Sequence, residues 1–420
     1  MPMKLPALGL ALVVVALLSS CTPFGGGATS AYPQAGAQAG GFALGIDRLA
    51  EDGFSVLRRK RVGLITNQTS LTRNGTLTRV AMQRGLGGNL TALYTPEHGL
   101  DGRETAGLKV QSRRDPVTGL VAFSLYGDTR KPTPQMLSGI DVLVFDLQDI
   151  GSRSYTYIST MALAMEAAAE NGKEFVVLDR PNPLGGVRVQ GPPLESSWKS
   201  FVGQIPVPYV HGMTTGELAR MINGQGWIRS RPRLMVVPMR GWQRQMIWSD
   251  TGLRWMATSP NIPSATSPFY YAATGILGGL DQVDIGIGTS QPFQFAGGKG
   301  IHPGQFASFM NSMGIPGVRF APYSSSKKPG FGGVQIYLDP RGNTDLLALD
   351  VVLTSQVIKR SGGLPLRATR GDEVNLFHKV YGSDSLWRDL QRGRPPGQII
   401  AGWQAANARF RGARQPYLLY

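Results

Sequence analysis

Asp141-Val-Leu-Val-Phe145-Asp146-Leu-Gln-Asp149-Ile-Gly151, followed by an Ala-, Met- and Leu-rich segment from Thr156 to Asn171-Gly172, decides how this chain folds. Its apolar core, Val-Leu-Val-Phe, shows no alternation, which is the pattern of a strand buried on both faces of a sheet. The next segment is rich in good helix formers, and Asn171-Gly172 is a helix stop. The alternation recurs on both sides. Arg61-Val-Gly-Leu-Ile-Thr66, Leu90-Thr-Ala-Leu-Tyr94, Phe175-Val-Val-Leu178 and Leu234-Met-Val-Val237 read as further buried strands, and Thr214-Thr-Gly-Glu217 is a capping box opening a helix over Leu218 to Asn223. Strand and helix in alternation predict a Rossmann-like α/β fold with a doubly wound, mostly parallel sheet.

Past Ile262 the pattern changes. Gly and Pro become dense through Gly304, and a strand at Gly333 to Leu338 and helices at Leu346 to Lys359, Ser385 to Gln391 and Gly397 to Phe410 follow. This reads as a second, smaller α+β C-terminal domain, and a length of 420 residues is ample for two cores. The expected division is a Rossmann-like domain over 42–265 and an auxiliary domain over 266–420.

The N-terminus carries its own signal. Met1 to Lys4 is short and basic, and Leu5 to Leu18 is an apolar run of 14 residues, below the roughly 20 that span a bilayer. Leu18-Ser19-Ser20-Cys21, with the one cysteine of the chain, resembles a bacterial lipobox, so residues 1–21 are expected to be a lipoprotein signal peptide with Cys21 as the lipidation site. Residues 22–41 contain no charge and are dominated by Gly, Ala, Ser, Pro and Gln, the composition of a flexible tether. A lipid-anchored protein of the cell envelope, facing the periplasm or the exterior, is the expected location.

Lys and Arg outnumber Asp and Glu by 43 to 27, giving a net charge of +16 that attracts anionic partners. The basic residues are scattered and lack the interleaved aromatics of a base-stacking platform, so no nucleic acid is expected. No histidines stand at metal-ligand spacing and no cysteine pair exists, so no metal site is expected. No G-x-G-x-x-G follows the first strand, no phosphate-binding Lys-Ser/Thr loop occurs and no G-x-S-x-G elbow is present. A nucleotide cofactor is therefore not expected, nor any other.

Polar residues follow the apolar strands repeatedly: Pro96-Glu97-His98-Gly99, Asp146-Leu-Gln-Asp149 and Asp179-Arg-Pro-Asn182-Pro. In a parallel sheet these loops share one edge, where open α/β sheets bind ligands. Asp146, Asp149 and Asp179 have a second reading as buried carboxylates capping helices. Arg153, in Gly151-Ser-Arg-Ser-Tyr155-Thr-Tyr157, can clamp a substrate carboxylate, with Tyr155 or Tyr157 stacking on a ring; the alternative is an internal ion pair to Asp146 or Asp149 with core tyrosines.

These residues together resemble a known family. Pro96-Glu-His-Gly99, Phe145-Asp-Leu-Gln-Asp-Ile-Gly151, Tyr155-Thr-Tyr157, Leu178-Asp-Arg-Pro-Asn-Pro-Leu-Gly-Gly186, Ser200-Phe-Val-Gly203, His211-Gly-Met-Thr214, Gly216-Glu-Leu218 and Ser259-Pro-Asn261 are similar to the NamZ-like exo-β-N-acetylmuramidases, formerly a domain of unknown function. The likeness runs from about Gly45 to Tyr420. It implies a glycoside hydrolase releasing N-acetylmuramic acid from the non-reducing ends of peptidoglycan fragments of the MurNAc-GlcNAc type, with Glu97 catalytic. Glycosidic cleavage needs an acid to protonate the leaving oxygen and usually a second group, for which Asp146 and Asp149 are candidates; burial of Glu97 in its tight loop is expected to raise its pKa. His98, Arg153, Tyr155, Tyr157, Asp179, Asn182, His211, Asn261 and Asp284 are the candidate substrate-binding residues.

One segment departs from the family. Where it usually shows Glu-Gly-Thr-Asn-Leu-Ser-Glu-Gly-Arg-Gly-Thr-Thr-x-Pro-Phe, this chain has Gly278-Gly-Leu-Asp-Gln-Val-Asp284-Ile-Gly-Ile287-Gly-Thr-Ser-Gln-Pro-Phe293. Ile287 takes the arginine position and Asp284 that of the second acid. The departure keeps two alternatives open: a non-catalytic envelope lipoprotein that binds muropeptides or glycan ends, and a hydrolase acting on another acidic glycan.

Overall fold

The computed structural model describes residues 41–420. The signal peptide, Cys21 and nearly all of the tether lie outside the described residues. Thirteen strands occur among the described residues: β1 Val62–Ile65, β2 Leu90–Thr95, β3 Arg113–Arg114, β4 Val121–Ser124, β5 Val142–Phe145, β6 Glu174–Leu178, β7 Gln190–Pro193, β8 Pro208–Val210, β9 Leu234–Val237, β10 Val283–Asp284, β11 Phe295–Lys299, β12 Val318–Ser324 and β13 Phe331–Leu338.

A seven-stranded sheet runs in the order β3-β4-β2-β1-β5-β6-β9. All its pairings are parallel except that of the short edge strand β3. From β1 the chain winds outward through β2 to β4, then returns to the other side of β1 and winds through β5 and β6 to β9. The loops leaving β1 and β5 therefore flank the crevice where the winding reverses, the usual ligand position in such sheets.

Burial on both faces explains the unbroken apolar runs. Leu143 and Phe145 belong to one core cluster, whereas Val142 and Val144 belong to the other, as strand alternation requires. The helix Tyr157–Glu170 covers the first face and is buried along most of its length. The helix Thr78–Leu86 packs against the second through Met82 and Leu86. The helix Thr215–Gln225 opens with the anticipated capping box: Thr214 Oγ1 accepts from the Glu217 amide at 3.2 Å and Glu217 Oε2 from the Thr214 amide at 3.0 Å.

The C-terminal half carries an antiparallel sheet in the order β10-β11-β13-β12, with the helix Leu346–Arg360 packed on it. The fold is thus α/β with a second, smaller α+β unit, as anticipated. The expected helix over Gly397 to Phe410 is broken at Gly402-Trp403 into Pro396–Ala401 and Gln404–Ala413. One core cluster runs through both halves, from Phe145 and Tyr209 to Phe269, Ile336 and Leu353. The last residues return to the first sheet, where the Tyr420 hydroxyl donates to Asp179 Oδ2 at 2.7 Å and accepts from the Met239 amide at 2.7 Å.

Candidate active site

Glu97 leaves the C-terminal end of β2 on a turn closed by a 3.1 Å hydrogen bond from the Gly99 amide to the Pro96 carbonyl. His98 and Gly99 both hold positive φ, 69° and 74°. Glycine adopts this freely, but for histidine it costs free energy, so the surroundings must hold it. They do so partly through His98 Nδ1, 2.8 Å from the Glu104 carbonyl oxygen. The reversal encloses Glu97, which is 7 % exposed. Glu97 Oε1 accepts from the Gly107 amide at 2.8 Å, and Oε2 accepts from the Thr156 hydroxyl at 2.7 Å. Burial, followed by the neighbouring Glu97 charge and a hydrogen bond to it, pushes the Tyr126 phenol up to about 12.

Glu97 lines a pocket of about 200 Å³ together with His98, Tyr155, Asn261, Tyr271 and Phe293. Tyr155 meets Tyr271 edge-on with centroids 6.2 Å apart, and Tyr271 meets Phe293 in the same way at 5.0 Å, so three rings form one wall. The Tyr155 hydroxyl donates to Thr258 Oγ1 at 2.8 Å, and the Tyr271 hydroxyl shares a 2.9 Å hydrogen bond with Ser154. Tyr271 and Phe293 come from the C-terminal half, so both halves close the pocket. A larger cavity of about 350 Å³ is walled by Trp248, Trp255 and Gln68, whose Nε2 donates to the Ala257 carbonyl at 2.8 Å.

Of the residues singled out in the sequence, the fold brings Glu97, His98, Tyr155 and Asn261 to this pocket and sends the others elsewhere. Asp146 does not line it: the carboxylate is fully buried in a two-pronged pair with Arg180, at 2.5 and 2.8 Å. Arg153 takes neither of its expected partners. Its Nη1 donates to the carbonyls of Pro192 and Val207, each at 2.8 Å, and its Nη2 to Tyr381 at 2.5 Å, which ties the two halves together. Tyr157 is fully buried, accepting from Asn67 Nδ2 and donating to the Thr258 carbonyl, each at 2.8 Å.

Asp179 caps a helix. It accepts from the Gly216 amide at 2.7 Å and from the Thr214 hydroxyl at 2.7 Å, while burial pushes its carboxyl up to about 6. Asn182 fixes its own loop, with Nδ2 donating to the Met213 carbonyl at 3.0 Å. Asp149 and His211 line a separate void of about 10 Å³, room for one water. Asp149 Oδ2 and His211 Nε2 both lack a protein partner there. Burial raises Asp149 to about 7 and lowers His211 to about 3. Asp284 sits on β10, accepting from the Gly286 amide at 2.9 Å and the Tyr323 hydroxyl at 3.0 Å.

The comparisons with known proteins agree with this architecture. Profiles described as the exo-beta-N-acetylmuramidase NamZ, N-terminal and C-terminal, match residues 62–266 and 269–420. The chain belongs to the NamZ family. Over 384 residues it is 39% identical to the peptidoglycan beta-N-acetylmuramidase NamZ of Bacillus subtilis (strain 168), covering 90% of this chain and 91% of that one. A crystal structure of a DUF1343 family protein from Bacteroides fragilis is 40% identical with a TM-score of 0.84, over 90% of this chain and 99% of that one. A second DUF1343 structure from the same species is 28% identical with a TM-score of 0.64, over 91% and 99%.

In this NamZ-family chain the divergent segment Gly278 to Phe293 reaches the pocket through Phe293, whereas Ile287 is 45% exposed. The pocket residues not singled out as site candidates in the sequence include Ser154, Thr156, Tyr271 and Phe293. Ser154 and Thr156 lay within a run already marked, with the facing misjudged. Phe293 closes the divergent segment, whereas no local signal marks Tyr271, which only tertiary packing brings to the pocket.

Proposed function

We propose that this chain is an exo-acting glycoside hydrolase releasing N-acetylmuramic acid from the non-reducing ends of peptidoglycan fragments, with Glu97 as general acid. One observation carries the reading: Glu97 is the one acidic side chain among the residues lining a pocket walled by Tyr155, Tyr271 and Phe293. As the bond from the anomeric carbon to the leaving oxygen breaks, that oxygen must receive a proton. Glu97 has both oxygens placed by Gly107 and Thr156, so the proton leaves from a defined position. The rings offer apolar faces to a sugar. The name of the Bacillus subtilis relative, a peptidoglycan beta-N-acetylmuramidase, supports the substrate class.

Purified protein is expected to turn over a chromogenic N-acetylmuramide and MurNAc-GlcNAc, and Glu97→Gln to lose about 10²- to 10⁴-fold in rate while keeping its thermal midpoint. Unchanged turnover in Glu97→Gln would remove Glu97 from the mechanism. Binding of MurNAc-GlcNAc without turnover by the unaltered protein would make it a glycan-binding protein instead. A lipid anchor at Cys21, supported by the apolar run Leu5 to Leu18 and the Leu-Ser-Ser-Cys sequence, completes the proposal. Cys21→Ala is then expected to move the protein out of the membrane fraction.

A further inference from the structure

Arg130 has no anionic partner among the described residues, although its neighbours in sequence do. Asp128 pairs with Lys109 at 2.9 Å, and Lys131 pairs with Glu166 and Glu170, each at 2.7 Å. Arg130 Nη1 is buried without a hydrogen-bond partner. What holds the guanidinium is aromatic: its central carbon lies 3.4 Å from the Tyr126 ring centroid and 5.2 Å from that of Phe201.

This stack borders the Glu97 pocket. The Tyr126 phenol stands against the Glu97 carboxylate, and Phe201 directly precedes Val202, which lines the pocket. A guanidinium held by stacking, partly stripped of water and with its fork unfilled, is suited to a planar, two-pronged anion. The other arginines of the site loops have the ends of their forks occupied internally: both Nη atoms of Arg153 donate to carbonyls, leaving only its Nε without a partner, and Arg180 is paired with Asp146.

We propose that Arg130 is the anion subsite of the Glu97 pocket, taking the carboxylate of an acidic substituent on the bound sugar, such as the lactyl group of N-acetylmuramic acid. This rests on the muramidase reading and assigns to Arg130 the part that the sequence suggested for Arg153. Phe201 and Tyr126 then serve as the platform that orients the fork.

The test is binding to the Glu97→Gln protein by titration calorimetry, using free N-acetylmuramic acid and N-acetylglucosamine, which differ by the lactyl group alone. The acidic sugar is expected to bind about ten- to a hundredfold more tightly, as charge-assisted hydrogen bonds give. Adding Arg130→Met, which keeps an apolar stem over Tyr126, brings that ratio close to one; Arg130→Lys retains part of it. A ratio unchanged by Arg130→Met overturns the inference. So does a parallel fall in both affinities, because a merely structural stack would act on both sugars alike, and so does the absence of any preference before Arg130 is altered. If the preference depends on Arg130 but the unaltered protein has no turnover, the hydrolase reading fails and the anion subsite stands. Turnover of N-acetylmuramides with a ratio that survives Arg130→Met gives the reverse.

Discussion

Replacing Asp149 by asparagine is predicted to stabilise the protein in a strongly pH-dependent way. The carboxyl is buried against a small void whose one cationic lining residue, Arg180, is already paired with Asp146; one oxygen accepts from the Gly151 amide at 2.7 Å, and the other has no protein partner. Burial is the dominant influence, lifting its pKa from 3.8 to about 7 against the opposing pull of the Gly151 and Ile150 amides. A raised acid favours the native state most when both states are protonated, below about pH 4. Between pH 4 and 7 the unfolded chain loses its proton while the native state keeps it, so stability falls by about 1.4 kcal/mol per pH unit. Above pH 7 both states are ionised and the contribution is flat. Over the whole interval from 3.8 to about 7 the loss amounts to about 4 kcal/mol.

An asparagine does not titrate, and its side-chain oxygen can still accept from Gly151. Urea unfolding of both proteins from pH 4 to 8 should therefore show the Asp149→Asn variant gaining on the unaltered protein by about 4 kcal/mol across the range, mostly below pH 7. Asp179, raised to about 6, Asp350, raised to about 7, and His211, lowered to about 3, also titrate but are common to both proteins and cancel in the difference. Parallel profiles would refute the reasoning, since they would mean that Asp149 ionises as freely in the native state as in the unfolded one.

Two further substitutions probe residues that the fold uses as fastenings. Asp146→Ala leaves the Arg180 guanidinium buried without its partner and should cost about 3–5 kcal/mol in chemical unfolding; a loss under about 1 kcal/mol would show that the pair is solvated. Arg153→Met strands the carbonyls of Pro192, Val207 and Tyr381 and should cost at least about 3 kcal/mol while leaving the preference for an acidic over a neutral sugar intact. Loss of that preference at unchanged stability would return Arg153 to the site.

Five strands of the central sheet were legible because their signal is local, whereas the short strands β3 and β4 toward one edge were not anticipated. Each of β1, β2, β5, β6 and β9 is a short run of apolar residues, and burial on two faces removes the alternation that a half-exposed strand would show. Strands β11 and β12 were not legible. Phe295-Ala-Gly-Gly-Lys299 contains two glycines, and Gly297 is needed because a side chain there would meet the Gly332 carbonyl at 2.7 Å. Val318 to Ser324 includes Pro322 and buries only Phe320 fully. Both strands owe their pairing to β13, which composition alone does not announce.

The site was half legible for a different reason. A polar residue just after a buried strand marks two things at once: the groups that face a ligand, and those that hold the loops where ligand-facing groups can work. Asp146, Asp179, Asn182 and Arg153 proved to be of the second kind, and what separates them from Glu97 is the identity of the partner. Asp146 meets a full opposite charge in Arg180, and Arg153 is surrounded by carbonyls, so each is consumed inside the fold. Glu97 meets only neutral donors, Gly107, Thr156 and the Tyr126 phenol, and Arg130 only ring faces among the described residues, so neither is paired with an opposite charge. Both meet Tyr126, Glu97 at its hydroxyl and Arg130 over its ring, and a sugar bearing an acid near its reacting centre presents an oxygen to protonate and a carboxylate to clamp. The same physical criterion therefore picks out both residues.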